Sequence, residues 1–153
     1  MNRLLAVQAA MIALIDAQED KNPDREQPLN WELIHMISSA RLAWLMAEER
    51  GEDPTLAACA CSVHALSRIV PEEREGNGGT VAAFLTGLNL FTPSEIAAIS
   101  AAVASPAEKN ACSASLEEIV KDADIVDAHL YGVPFSDPGH KERFDRWNRR
   151  HAL

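Results

Sequence analysis

The sequence predicts an all-α protein, a compact bundle of about six or seven helices. Two observations carry that prediction. Apolar residues make up 47% of the chain, yet alanine dominates them while aromatics reach only 5%; such a composition suits closely packed helices and gives a sheet few residues to pair. Helix-start and helix-stop residues also recur along the chain, and no segment alternates convincingly as a strand would. The length, 153 residues, is that of one ordinary domain with a single core, so residues 1–153 are expected to fold together.

The first helix is placed at 4–18, with Leu5, Ile12 and Ile15 facing inward. The polar stretch DAQEDKNPDREQPLN with its two prolines then reads as a surface loop, of the length at which loops move or cover something. From Trp31 to Arg50 the spacing is helical, and Gly51 ends the run as a left-handed cap. Asp53-Pro54 is an N-cap followed by proline at the first helical position. It opens the apolar run LAACACSVHALSRIV from Leu56 to Val70, read as one helix that Pro71 stops. PEEREGNGG is read as a loop because of its three glycines, and TVAAFLTGLNL as a return to helix. Thr92-Pro93-Ser94-Glu95 is a capping box for the short helix IAAISAAVA. Ser115-Leu116-Glu117-Glu118 is a second box, opening LEEIVKDADIVDAHLYG. Finally Ser136-Asp137-Pro138 starts a terminal helix at 137–150, which turns Phe144 and Trp147 towards the body. Its basic residues Lys141, Arg143, Arg146, Arg149 and Arg150 are interrupted by Glu142 and Asp145 and read as a solvated face.

Composition also excludes function classes. The formal net charge of -9 repels a phosphate backbone, which argues against nucleic acid as the main partner. Cys59, Cys61 and Cys112 are odd in number and lack framework spacing, as suits a reducing cytoplasm. The apolar start MNRLLAVQAAMIALID is too short to span a bilayer and has no small-residue cleavage pattern, so neither membrane insertion nor export is expected. There is no glycine-rich phosphate loop, repeat or heptad array. No serine or cysteine stands in a nucleophile setting, so a cofactor-free hydrolase has little support. Helical domains of this size often pair through an apolar face, which leaves a homodimer open, with the first and last helices as candidate surfaces.

The chemistry concentrates in three polar residues set in apolar helical surroundings: His35, His64 and Asp124. Taken alone, His64 between Val63 and Ala65 reads as a core imidazole bonded to a backbone carbonyl, and His35 likewise. The acids of KDADIVDAH are harder to place in a core. Asp124 and Asp127 share a helix face while Asp122 points away, and a carboxylate on a buried face needs a cationic partner or a metal. Two imidazoles and a carboxylate form a ligand set for one divalent ion (Zn, Mn, Fe, Mg or Ni) that keeps open positions. Arg68, a turn beyond His64, is the candidate for holding an anionic substrate oxygen. Cys61 is three residues before His64, but Cys59 and Cys61 read as small core residues.

These residues fall in an order that resembles the HD-domain superfamily of metal-dependent phosphohydrolases. That all-helical family carries a His, then a His-Asp pair, then a later Asp, which jointly bind one or two metals. His35 with the helix ending in Gly51-Glu52-Asp53 matches the first His. LAACACSVHALSRI resembles the lead-in to the His-Asp-x-Gly-Lys/Arg segment, with His64 at the His and Arg68 at the basic position. VKDADIVDA resembles the closing Asp-Ala-Asp-x-Leu-Asp motif, with Asp124 at its metal-binding Asp. The resemblance runs from about 31 to 132 and implies one metal on His35, His64 and Asp124, with a small phosphorylated molecule or nucleotide as ligand. Two departures stand out. Ala65 occupies the position of the pair's Asp, and Ser67 that of the usual Gly; the loops around PEEREGNGGT and ASPAEKN also lack second-metal histidines. Two readings follow: a pseudo-enzyme that binds a ligand or partner, with or without the metal, or a single-metal phosphohydrolase with residual activity.

Overall fold

The computed structural model describes residues 2–18, 27–70, 76–104 and 115–152. Within them the chain runs α1 (Arg3–Ala17), α2 (Leu29–Arg50), α3 (Pro54–Val63), α4 (Leu66–Ile69), α5 (Gly76–Leu88), α6 (Pro93–Val103), α7 (Ser115–Leu130) and α8 (Pro138–His151). Counting α3 and the one-turn α4 as one bent element, this is the all-α bundle the composition predicts, and no strand occurs among the described residues. Residues 19–26, expected as a surface loop, residues 71–75 with Pro71, and the stretch holding Cys112 lie outside those residues. No helix of the described residues is long and apolar enough to cross a membrane.

The bundle is built around α3, in which every residue from Ala57 to Val63 is buried. Its side chains are small, Ala-Ala-Cys-Ala-Cys-Ser, so α1, α2, α6 and α7 all approach it closely. This is where the alanine-rich composition acts: small residues at the centre leave room for larger ones, such as Met11, Leu66, Leu85, Ile99 and Ile119, to fill the spaces between helices. Ser62 stays satisfied in the core, donating to the Ala58 carbonyl at 2.9 Å and accepting from Gln8 Nε2 of α1 at 3.3 Å.

Cap chemistry sets most of the boundaries. Asp53 accepts from Thr55 and Leu56 N–H at 2.9 and 3.1 Å, Asp137 accepts from His140 N–H at 3.0 Å, and the Thr92/Glu95 box is complete. Glu95 also accepts two bonds from Arg3, both 2.9 Å, which fastens α1 to α6. Backbone and side-chain hydrogen bonds from Thr92 and Arg3 hold the Glu95 carboxyl below its usual range, although burial opposes this. Gly51 ends α2 at φ 70 and ψ 25, a conformation that penalises any Cβ. Gly51→Ala should therefore cost about 1 kcal/mol, read as a lowered urea midpoint with the slope unchanged.

Four expectations need correction. On α1 the buried face is Val7, Met11 and Ile15, with Ile12 packed beside it as expected, while Leu5 is 64% exposed; the residues four apart set the face. Helix α5 begins at Gly76, inside the stretch read as a loop. A Cβ on Gly78 would sit 3.2 Å from the Ser100 carbonyl and 3.5 Å from Ala104 Cβ, so this glycine serves close packing on α6 and not a turn. Arg143 is not part of a solvated face, since it donates to Glu118 at 2.6 Å and Asp122 at 2.8 Å. The fourth concerns the run from Leu56 to Val70, which is not one helix and whose break forms part of the site.

Candidate metal centre

Helix α3 stops at Val63, and α4 begins only at Leu66, with Ala65 between them at φ -100 and ψ 8. In a continuous helix the Cys61 carbonyl would accept from the N–H four residues on. Here it accepts from the ring Nδ1–H of His64, with the His64 backbone N–H at 3.4 Å. The imidazole thus takes over part of the backbone ladder, and the helix break and the aim of His64 are one event. Because a carbonyl only accepts, Nδ1 carries a proton, and Nε2 is left facing inward.

His35, on α2, is fixed from its other side. Its Nδ1 donates to Asp127 Oδ2 at 2.6 Å, and the same oxygen accepts from the Ser38 hydroxyl at 2.8 Å. Trp31, one turn earlier, stacks on the ring at 4.5 Å. The Nε2 atoms of both histidines converge on Asp124 Oδ1, His35 at 2.8 Å and His64 at 3.2 Å. His35 is almost wholly buried, while the Asp124 side chain is 38% exposed; the centre is closed on the helix side and open beyond Asp124.

Electrostatics follow from these contacts. Burial works against charge on His35, but hydrogen bonds and attraction to Asp124 and Asp127 outweigh it and raise its pKa to about 9. Burial would likewise raise the Asp124 pKa, yet the attraction of His64 and the hydrogen bonds from both histidines hold it far below the usual carboxylate range. Cys61 is fully buried, and burial pushes its thiol well above the ordinary value. It is a neutral core residue, as expected, with Sγ 3.9 Å from the Val120 carbonyl.

The donor set fits a divalent ion. His35, His64 and Asp124 each offer one ligand atom, and these atoms lie within 4.8 Å of one another. Each imidazole has its outer nitrogen committed, one to a carboxylate and one to a carbonyl, which is the outer support that metal-ligating histidines need to present Nε2. The sequence-predicted residues therefore converge as a group. Arg68 is less direct: it stands on α4 at the edge of a hollow that also includes Asp124, and donates to the buried Glu32 at 3.3 Å.

The sequence singles out the three candidate donors but not their supports. Asp127 was assigned to the Asp124 face without its partner, and Ser38 and Trp31 were not singled out. Their spacing held a signal, since residues three or four apart on a helix are neighbours, and Trp31 and Ser38 flank His35 at those distances. Asp122 does point away from the site, but it is buried as well, bound by Arg50 at 2.7 Å and Arg143 at 2.8 Å. It ties α2, α7 and α8 together.

No family model matches the chain. Ribonuclease Y 1 of Levilactobacillus brevis is 33% identical over 102 residues, which are 66% of this chain but only 19% of that protein. A solved structure titled a predicted HD superfamily hydrolase, from an uncultured Thermotogales bacterium, aligns with a TM-score of 0.59 at 16% identity. The alignment covers 94% of this chain and 86% of that one. The chain has an HD-domain-like fold.

Proposed function

Starting from that HD-domain-like fold, we propose that the chain binds one divalent ion through His35, His64 and Asp124 and, beside it, a small phosphorylated molecule, with little or no turnover. One observation supports this most: three donors converge with both imidazoles held from behind, while position 65 presents a buried methyl group where a fourth, anionic ligand would stand. An ion held there supplies Lewis acidity to a phosphoryl oxygen and to water. The protein does the rest. Asp127 and the Cys61 carbonyl orient the imidazoles, Trp31 covers His35, and Arg68 at the rim offers N–H donors to phosphate in exchange for Glu32. Without a carboxylate at position 65 the metal is held more weakly and one group that would orient water is missing.

The name Ribonuclease Y points to RNA for that relative. For this chain the net charge of -9 and a hollow of about 230 Å³ favour a small molecule. The second reading, a single-metal phosphohydrolase, draws on the opening of that hollow directly beside Asp124. Metal analysis of purified protein, followed by phosphate release from a panel of phosphomonoesters, separates the two. One bound ion with negligible release supports the first, and metal-dependent turnover at ordinary enzyme rates supports the second. Protein that cannot be loaded with any divalent ion overturns both.

Ala65→Asp tests the missing ligand. In the metal-free variant the new carboxylate enters a buried position and should cost about 2 kcal/mol. With metal present the order should reverse, with affinity raised about tenfold or more by an added anionic donor. Titration calorimetry and paired thermal melts read both effects.

A further inference from the structure

The large apolar side chains left exposed among the described residues gather on two helices: Leu5 on α1, and Ile34, Ile37 and Leu45 on α2, the last three 44 to 51% exposed. Between residues 34 and 48 the exposed positions of α2 are Ile34, Ile37, Arg41, Leu45 and Glu48. They recur every three or four residues and so form one outward stripe. Ile37, Arg41, Trp44 and Leu45 border a groove whose other side is Leu4 and Gln8 of α1. The groove shares no lining residue with the hollow beside Asp124.

The stripe carries one charge of each sign. The neighbouring charges are engaged across the bundle, Glu49 with His151 at 2.9 Å and Arg50 with Asp122 at 2.7 Å, whereas Arg41 and Glu48 have no ion-pair or hydrogen-bond partner among the described residues. A second copy of the same stripe supplies what each lacks. In two α2 helices packed antiparallel about a two-fold axis between residues 44 and 45, positions 41 and 48 both lie about 5 Å along the helix from that axis. Arg41 of each copy then stands opposite Glu48 of the other, twice over, as an isologous contact requires. Leu45 packs on Leu45 and Trp44 of the second copy between the two ion pairs. Ile34 and Ile37 reach the turn after that copy's α2, where Leu56 is partly exposed.

Other occupants fit less well. Glu48 and a net charge of -9 repel an anionic lipid surface, and an unrelated protein would have to bring both charges that the chain already carries. Size sets the strength. The stripe is about 21 Å long and, with α1 beside it, about 20 Å across, a small face against the ~800 Å² per partner of a standard interface, which places the pair in the micromolar range and not the nanomolar.

We infer that two copies of the chain pair through α1 and α2, with Arg41 of each on Glu48 of the other and Leu45 at the axis.

Sedimentation equilibrium between about 1 and 300 µM tests this, with a chelator present so that a bridging ion plays no part. The mass should rise from that of one chain towards that of two. Leu45→Glu should keep the chain monomeric throughout, and Arg41→Glu and Glu48→Arg should each weaken pairing about tenfold or more by setting like charges together. Mixed in equal amounts, these two variants should pair again, because each copy then meets the opposite charge at both contacts. Circular dichroism checks folding, and Ile37→Glu replaces Leu45→Glu if the latter does not fold. A chain that stays monomeric at the highest concentration, a dimer that survives the glutamate in a folded variant, or charge variants that do not recover pairing on mixing overturns the inference. Flotation of a monomeric chain with phosphatidylglycerol vesicles would reassign the face to lipid.

Discussion

His64→Ala should lower affinity for a divalent ion by about 100-fold or more, since losing a donor atom costs more than the ~10–100-fold typical of losing an outer support. The reason is geometric. His64 is the only donor of the three that comes from the α3–α4 break, so without it His35 and Asp124 present a two-donor site spanning α2 and α7 alone. Asp127→Asn makes the informative contrast. It keeps the shape of the side chain but weakens the charge-assisted bond to His35 Nδ1, now 2.6 Å, and should lower affinity by about tenfold. Titration calorimetry with Mn or Ni on both variants checks the ranking. Equal losses in the two would show that Asp127 is itself a ligand.

Metal-free protein should lose about 3 kcal/mol of stability between pH 6.5 and pH values above 9. His35 has a folded pKa raised to about 9 from an ordinary 6.5, so the folded state holds its proton more tightly than the unfolded chain does. Its contribution is full below pH 6.5 and disappears as the pH rises through 9. Asp124 acts in the opposite sense: its folded pKa is depressed, so its contribution is present above 3.8, the ordinary value, and declines below it. Denaturant midpoints measured against pH in the presence of a chelator should show a plateau between these limits and an alkaline fall. His35→Gln should flatten that fall. Metal affinity should run the other way and rise towards pH 9, because an ion at Nε2 displaces the proton. A metal-free stability that stays level through pH 9 would contradict the charged state assigned to His35.

Local chemistry announced itself in the sequence, and relations between elements did not. Asp53-Pro54, the Thr92/Glu95 box, Asp137-Pro138 and Gly51 all act within four residues of themselves, so their effect is the same wherever the helix ends up. The three candidate donors are visible because a His or Asp in an apolar run is conspicuous. By contrast, the break at Ala65 sits inside an uninterrupted apolar stretch, and its cause is a side chain taking a carbonyl from the backbone ladder. Gly78 read as loop punctuation because its reason for being small lies on α6. The burial of Asp122 depended on Arg50 and Arg143, which lie 72 and 21 residues away. Leu5 read as core from its type alone, and only the packing of Val7, Met11 and Ile15 against the bundle shows which stripe of α1 is covered.

Helix α8 has no buried residue; the Asp122 clamp and the edges of Phe144 and Trp147 attach it to the rest. One wall of the hollow, His140 of α8, therefore depends on a largely buried ion-pair clamp and two ring edges, while His35, His64 and Asp124 belong to helices locked by apolar packing. Whatever enters the hollow would thus be gripped in part by a helix that has no core of its own.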